Sequence, residues 1–526
     1  MLAAYEHLLK ITLALSGERD IARLYEQIIE AAQELTHSDG GTLYIVDERD
    51  GHAVLRFEVL RNDTFSIRLG GTSGTPVPFA PIGLFLPDGT PNLSNICAYV
   101  YHHRHPVNIA DAYSEDRFDL SGTRAFDQKW GYRSQSLLTL PLANHEGSII
   151  GVLQLINAKN PADGTVLPFD PALEPIVGAL ASSAAITLEN QQLLQGHRNL
   201  LDAFIKAIAQ AIDAKSPHTS GHCQRVPVLT EMLAEAACEA KDGPLRNFTL
   251  NDDEWYELRV AAWLHDCGKL ATPDSLLDKS TKLHSLCDRI EGIKTRFAAL
   301  IAQTQLRHVR QGNSDPAALE AEIAALRDDC AFLERANLGS EFMHAEDQAR
   351  VRRIAGYRWI DHTGATQPLL TEHEVELLCI ERGTLSNAER DRVNDHINVT
   401  IQMLESLPFP RELARVPEYA GGHHERVDGK GYPRGLTREQ MSWPARMMAI
   451  ADIFEALTAR DRPYKAPMKL SQALSILKKM AQQGHVDPDL YQLFVEGGIW
   501  RRYAEAFLLP EQLDVSDAAP YTLESA

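Results

Sequence analysis

The sequence predicts a multidomain chain: an N-terminal α+β domain, one long helix, and an all-α C-terminal domain. Three observations predict it. Strand-like alternation of apolar and polar residues is confined to the first third of the chain. A helical pattern without a strong break then runs from Asp170 to about Ala214. Beyond residue 200 the apolar residues recur almost throughout at three- and four-residue steps. A length of 526 residues leaves room for two to four domains, each with its own core.

The elements follow in order. Residues 1–36 carry two helical patterns, the first amphipathic and without the basic region of a signal peptide. GTLYIVDER (41–49) and AVLRFEVL (53–60) alternate like strands. LLTLPLANHEGSIIGVLQLINAK (137–159) is a hairpin turning at His145-Glu146-Gly147. Helices, strands and a closing helix make residues 1–170 an α+β domain. Over 171–214, Leu180, Ala184, Leu188, Gln191, Leu194, Leu201, Ile205, Ile208 and Ile212 keep helical spacing. So long a pattern is either a core helix or a signalling linker paired with its twin in a parallel homodimer, and the dimer is the expectation. Residues 200–510 form the helical domain. Within it, 279–360 reads as two charged amphipathic helices split by GNSD (312–315), a helical hairpin with no ligand-like cluster. Residues 511–526 are a polar tail.

Composition narrows the function classes. With 52 Lys and Arg against 72 Asp and Glu, the net charge is −20. That disfavours nucleic acid polymers and anionic membranes as partners, since both need basic surface. A small anionic substrate requires metals and a few local cations to override the global field. No run of about 18 apolar residues occurs, so no membrane-spanning helix is expected. The seven cysteines are widely spaced with no CxxC pair, and read as free thiols of a cytoplasmic protein.

The chemistry lies in scattered imidazoles and carboxylates of the second half: His222, His265-Asp266, His396, His423-His424 and Asp452. Converged, they would hold two transition-metal ions, and such a pair clamps a phosphodiester and generates hydroxide for in-line attack. Mixed imidazole and carboxylate donors suit Fe, Mn, Ni or Zn better than Ca or Mg. His265 and Asp266 end an apolar helical stretch, AAWLHDCGKL (261–270), where a two-oxygen carboxylate can bridge two ions. Lys269, one turn on, can reach a phosphate oxygen. Glycines around His423-His424 suggest an irregular loop over 418–436. Asp452 falls among apolar residues of ARMMAIADIFEALTA, where a carboxylate is rarely left unpaired. Each residue also has a bland reading: His396 alone is a surface or core histidine, and Asp452 a packing partner of Arg446. The conjunction favours a site. His102, His103 and His105 have no spaced carboxylate partners and read as exposed loop residues.

The second half, about 200–510, resembles the HD-GYP phosphodiesterases of the HD hydrolase superfamily. The matching pieces are GHCQRV (221–226), HDCGK (265–269), DHI around His396, HHERVDGKGYP (423–433) and IADIFEALTARDRPYK (450–465), in family order. The resemblance implies hydrolysis of cyclic di-GMP to pGpG or GMP, with some members preferring cyclic GMP-AMP. It implies two divalent ions, Fe or Mn foremost, held by His222, His265, Asp266, His396, His423, His424 and Asp452. Asp266 would be the bridge, and Asp266 and Lys269 the catalytic residues. Lys269 would contact phosphate, Tyr432 would shape the substrate site, and Arg462 and Lys465 would meet phosphate or guanine. There are departures. His218, one turn before His222, stands where some members place a ligand for a third metal. Glu455 replaces a common Asp. The run Ala459-Arg460-Asp461 is one residue longer than usual. The long gap from His265 to His396 makes 279–360 an insertion.

The first domain resembles a GAF domain, a small-molecule sensor, through NIADAYSEDRFD (108–119), GYRSQSLLTLPL (131–142) and IIGVLQLINAK (149–159). Asn157, Phe169 and Glu174 fit a cyclic-nucleotide signature of such domains, whereas Ala158 and Leu173 depart from it, leaving the GAF ligand unassigned. The expectation is therefore a GAF-regulated phosphodiesterase that also meets other signalling proteins. The alternatives are a cyclic dinucleotide receptor or scaffold with little turnover, a cyclic GMP-AMP-preferring enzyme, and a general HD nucleotidase, the last disfavoured by the GYP loop.

Overall fold

A computed structural model describes residues 2–49, 51–215, 221–312, 315–459 and 467–523. The chain divides into two compact units, Met1–Leu200 and Leu201–Ala526.

The N-terminal unit is built on an antiparallel sheet of eight strands: β1 (Ser38–Arg49), β2 (His52–Asn62), β3 (Ile67–Gly70), β4 (Ile82–Gly83), β5 (Val107–Ile109), β6 (Leu137–Ala143), β7 (Ile149–Lys159) and β8 (Val166–Leu167). The order is β3-β2-β1-β7-β6-β5, with β4 on β2 and β8 on β7. Period-two alternation sends Leu43, Ile45, Leu138, Leu140, Leu153 and Leu155 to one face. There they meet Leu24, Ile28 and Ala32 of the helix Ile21–Thr36, and Val177, Leu180, Ala184 and Leu188 of the long helix. Asp20 starts the first of these helices by accepting the backbone N–H groups of Ala22 and Arg23. Tyr44, Leu55, Leu137 and Val152 point the other way, onto the helix Ile96–His103. Gly151 sits in the sheet centre, where a Cβ would lie 2.4 Å from the Tyr44 carbonyl oxygen.

The long helix is one element of 42 residues, Glu174–Lys215. By length and composition it is apolar enough to cross a membrane, contrary to the expectation from apolar runs. Its apolar content has another use, since Val177, Leu180, Ala181, Ala184, Ala185 and Leu188 are core residues beneath the sheet. Farther along, Leu193, Leu194, Leu200 and Phe204 are more than half exposed.

The C-terminal unit is largely helical, with three cores. One gathers the helices His222–Glu239, Trp443–Thr458, Leu470–Gln482, Pro488–Glu496 and Ile499–Phe507 around Phe454, Tyr491 and Trp500. A second gathers Val260, Ala261, Leu264, Tyr419 and Met448. A third holds the helices Ile290–Arg310 and Pro316–Asn337, which pack on each other. This third core does not stop at residue 360. It takes in Leu369, Leu370, Leu377 and Leu378 and adjoins a strand pair, Arg358–Ile360 with Thr366–Pro368.

Two local expectations are corrected. His102 and His103 close the helix Ile96–His103 rather than lie in a loop. Asn95 caps the helix start, and Arg104 ends it in a left-handed conformation. His102 Nε2 bonds the Leu84 carbonyl, and His103 stacks on Tyr99. Residues 418–421 belong to a short helix, Val416–Gly421, so only the turn after it carries the histidine pair.

Candidate metal centre

Helix ends aim the ligand candidates. His222 opens the helix His222–Glu239 after Gly221, whose φ of 79° suits glycine. His265 closes the helix Asp252–Leu264, and Asp266 leads into a 3-10 turn, Cys267–Ala271, that carries Lys269. His396 opens the helix His396–Glu405. His423 and His424 follow Val416–Gly421, and Asp452 lies within Trp443–Thr458. Gly268 lets the HDCGK turn press against the His396 helix. A Cβ there would sit 2.0 Å from the His396 carbonyl oxygen, and the Gly268 N–H donates to Thr400 Oγ1 at 2.9 Å.

Four imidazoles converge on Asp266, with Asp452 and His424 beside them, and its two oxygens serve different pairs. Oδ2 lies 3.3 Å from the Nε2 atoms of both His222 and His265. Oδ1 lies 3.3 Å from His396 Nε2 and 4.0 Å from His423 Nε2. Asp452 Oδ1 lies 3.2 Å from His222 Nε2 and 3.8 Å from His265 Nε2. His424 Nε2 and His396 Nε2 are 3.2 Å apart. Two ligand groups result, His222–His265–Asp266 and His396–His423–His424, each with donor atoms within 4.8 Å of one another.

The donor set fits metal ions. His265, His396 and His423 each engage Nδ1 with the backbone carbonyl three residues before, Ala262, Val393 and Ala420 respectively. That bond fixes the ring and turns Nε2 inward as a lone pair. Four converging atoms are buried without a hydrogen-bond partner: the Nε2 atoms of His222, His265 and His423, and Asp266 Oδ1. One such atom costs about 1–3 kcal/mol, so four at a single point imply that something coordinates them.

Electrostatics divide the ligand imidazoles. Burial would lower His222, but Asp266, Asp452 and Glu455 outweigh it and raise that ring well above its ordinary range, so a metal bound there displaces a proton. His423 and His424 shift the other way. Burial pushes the His423 imidazole well below its ordinary range, and the neighbouring His424 and His265 push the same way. Burial brings His424 down to about 4. Both rings are therefore neutral near pH 7, as metal ligands must be. Burial would raise the Asp266 carboxyl, but the Lys269 ammonium foremost, with the hydrogen-bonding imidazoles around it, outweighs burial and holds it well below the carboxylate range. Asp452 is likewise held low, with His222 overcoming the effect of burial.

Around the ligands stand further residues, some already noted in the sequence (Glu455, Tyr432) and some not (Arg225, Glu425). Glu455 receives His222 Nδ1 and Arg225. Buried Glu425 accepts the backbone N–H groups of Arg434 at 2.7 Å and Leu436 at 2.9 Å, templating the GYP loop. Gly431 fits where a Cβ would be 2.3 Å from the Arg426 nitrogen. Tyr432 stacks on His424 with ring centroids 4.9 Å apart, and its hydroxyl donates to Asn394 Oδ1 at 3.3 Å. A cleft of about 470 Å³ beside His396 is lined by Thr272, Pro273, Asp391, Arg392 and Asp395. Signals for Glu425 and Glu455 existed, since each is a carboxylate inside a ligand motif. Arg446 pairs with Asp487 at 2.6 Å rather than with Asp452. His218, Arg462 and Lys465 lie outside the described residues. In the N-terminal unit, Asn157 accepts the Gln135 and Ser136 N–H groups, and Glu174 accepts from Asn108, so both brace that domain's own loops.

Comparison with known proteins agrees with both units. Residues 20–188 match the GAF domain family and residues 373–490 an HD domain family. The second match includes His396, His423, His424 and Asp452 and omits His222, His265 and Asp266. A 3'3'-cGAMP-specific phosphodiesterase of Vibrio cholerae is 26% identical over 338 residues, 61% of this chain and 48% of the relative. A cyclic di-GMP phosphodiesterase of Pseudomonas aeruginosa is 39% identical over 115 residues, 22% of this chain and 26% of the relative. One of Thermotoga maritima is 27% identical over 179 residues, 31% and 48%. The chain thus spans about half or less of the length of these relatives. It combines a GAF domain with an HD-superfamily region bearing two His/Asp metal-ligand clusters, and is related to the cyclic di-GMP and cGAMP phosphodiesterases.

Proposed function

We propose that the chain is an HD-GYP-type phosphodiesterase that hydrolyses cyclic di-GMP to pGpG or GMP. The observation that carries this reading is the convergence of three partnerless buried imidazole nitrogens on the Asp266 carboxylate, itself with a partnerless oxygen and with one oxygen toward each ligand cluster. Divalent ions, Fe or Mn best suited to these donors, would supply Lewis-acid and nucleophile-activating chemistry there. The protein's own residues do the rest. Asp266 divides its oxygens between the two clusters. Lys269, bonded to Asp266 Oδ2, places an ammonium beside the centre to offset charge growing on phosphate oxygens. Tyr432, braced on His424 and Asn394, forms one wall of the substrate site. Arg392 brings a guanidinium to the cleft beside His396, where it pairs with no carboxylate among the described residues, and this suits it to substrate phosphate.

A cyclic GMP-AMP preference is the second reading, and the Vibrio cholerae relative, which spans more of this chain than the other two, favours it. In the full reading, residues 1–170 sense a ligand, the helix 171–214 pairs two copies through its exposed Leu193, Leu194, Leu200 and Phe204, and the catalytic domain covers 200–510 with 279–360 inserted. The protein works in the cytoplasm. The test is a substrate panel on Mn(II)-loaded full chain: cyclic di-GMP, cyclic GMP-AMP, cyclic GMP and nucleoside mono- and triphosphates. Linear dinucleotide release from the cyclic dinucleotides alone is expected. Preferential hydrolysis of mononucleotides would overturn the reading, and binding without cleavage would make the chain a receptor.

A further inference from the structure

His222 differs from the other ligand imidazoles. The helix Trp443–Thr458 places a carboxylate at each of its nitrogens: Asp452 Oδ1 lies 3.2 Å from the unpartnered Nε2, and Glu455, one turn later, receives Nδ1. His265, His396 and His423 rest Nδ1 on neutral backbone carbonyls. Glu455 is 1% exposed, and Arg225 fixes its other oxygen at 2.8 Å. The two ligand groups also differ in carboxylates. The His222 group has Asp266 Oδ2 and Asp452 Oδ1 close by, with Glu455 behind. The His396–His423–His424 group has Asp266 Oδ1 within 4.0 Å of its His396 and His423 Nε2 atoms.

We propose that Glu455 is a positioning residue that makes the two halves of the centre unequal, so that the His222–His265–Asp452 half holds its divalent ion more tightly than the three-imidazole half. The inference rests on the metal-centre reading above. A carboxylate on Nδ1 keeps the ring proton at that nitrogen, presents Nε2 as a lone pair and strengthens it as a donor. Such partners change metal affinity by roughly 10–100-fold. Carboxylate charge next to the ion adds to the difference. The imidazole half, with one carboxylate oxygen near it and with His424 only part-buried, is the half that exchanges its ion with solvent.

The test titrates Mn(II) into chelator-stripped full chain at pH 8 by calorimetry, with bound Mn counted after desalting. Wild type should show two affinity classes at least tenfold apart and keep one ion per chain through a brief chelator wash. Glu455→Gln should weaken the tight class by roughly 10–100-fold and leave the loose class alone. Glu455→Asp should restore much of the loss, which a merely structural defect would not allow. Should Glu455→Gln fail to fold, Glu455→Asp and wild type still decide, because the two classes must remain resolved. Two equal sites in wild type, or a Gln variant that retains the tight class or weakens the loose one, would overturn the inference and leave the metal centre standing. A wild type that binds no Mn(II) would instead overturn the reading on which it rests.

Discussion

Gly268→Ala is the substitution whose consequence is most directly computed from geometry. An alanine Cβ at this position would lie 2.0 Å from the His396 carbonyl oxygen, 2.6 Å from the Thr400 nitrogen and 2.7 Å from Thr400 Oγ1. A comfortable non-bonded contact needs roughly 3.5 Å. The HDCGK turn and the His396 helix must therefore part by about 1 Å or more. The Gly268 N–H bond to Thr400 Oγ1 is lost in the process, worth about 1 kcal/mol. Overpacking adds about 1–3 kcal/mol, so the C-terminal unit should lose about 2–4 kcal/mol. The same displacement opens the 3.3 Å approach of Asp266 Oδ1 to His396 Nε2. A misplacement of about 1 Å at a reacting centre costs on the order of 100-fold in rate. The assay measures metal per chain, turnover of cyclic di-GMP and thermal unfolding of the same preparation. A folded variant with less than one metal per chain and a rate down about 100-fold is expected. A Gly268→Ala protein with wild-type metal content and rate would refute the claim that this turn sets the spacing of the two ligand clusters.

Three further outcomes follow from particular side chains. Lys269→Met removes the ammonium that both bonds Asp266 Oδ2 and offsets phosphate charge, so kcat should fall by about 100-fold or more while elemental analysis still finds metal held by the remaining imidazoles and carboxylates. Glu425→Ala strips the acceptor from two backbone N–H groups of the GYP loop, each worth about 1–3 kcal/mol, so KM should rise several-fold at unchanged metal content. Lys282 is buried, donates to the carbonyls of Leu378 and Ile380, and is brought down to about 8 by burial. An unfolded lysine titrates near 10.4, so between those values the unfolded chain binds more protons and stability rises with pH. The gain is bounded at about 3 kcal/mol, absent below pH 8 and complete above about pH 10.4. Urea unfolding followed across that range should show the rise, and Lys282→Met should remove it.

Much of the architecture was readable before the structure. The two apolar runs flanking a polar turn in 137–159 became β6 and β7, and they are apolar on consecutive residues because both faces of the sheet there are covered by a core. The unbroken helical spacing after Asp170 became a single 42-residue helix. Ligand candidates were readable as residue types, yet their convergence depends on four helix ends and the interior of a fifth helix brought together from distant parts of the chain. What stayed hidden is whatever depends on packing between distant segments. Nothing local marks Glu455 as the acceptor for a ring 233 residues away, or Thr400 as the partner of the Gly268 nitrogen. The third core continued past residue 360 because the apolar residues that close it, Leu369 through Leu378, are too few to form a recognisable pattern. The helix at His102 was missed because its eight residues carry weak periodicity and are defined by their caps instead.

The central claim is that Asp266 organises a two-metal centre that cleaves a cyclic dinucleotide. Its most direct test joins metal analysis to turnover on one anaerobically purified sample, for wild type and Asp266→Ala, with cyclic di-GMP and cyclic GMP-AMP offered in parallel. The account predicts two metals per wild-type chain with a linear product, and loss of both metal and cleavage in the variant. Undiminished hydrolysis by Asp266→Ala, or a metal-loaded wild type that binds both nucleotides and cleaves neither, would contradict it.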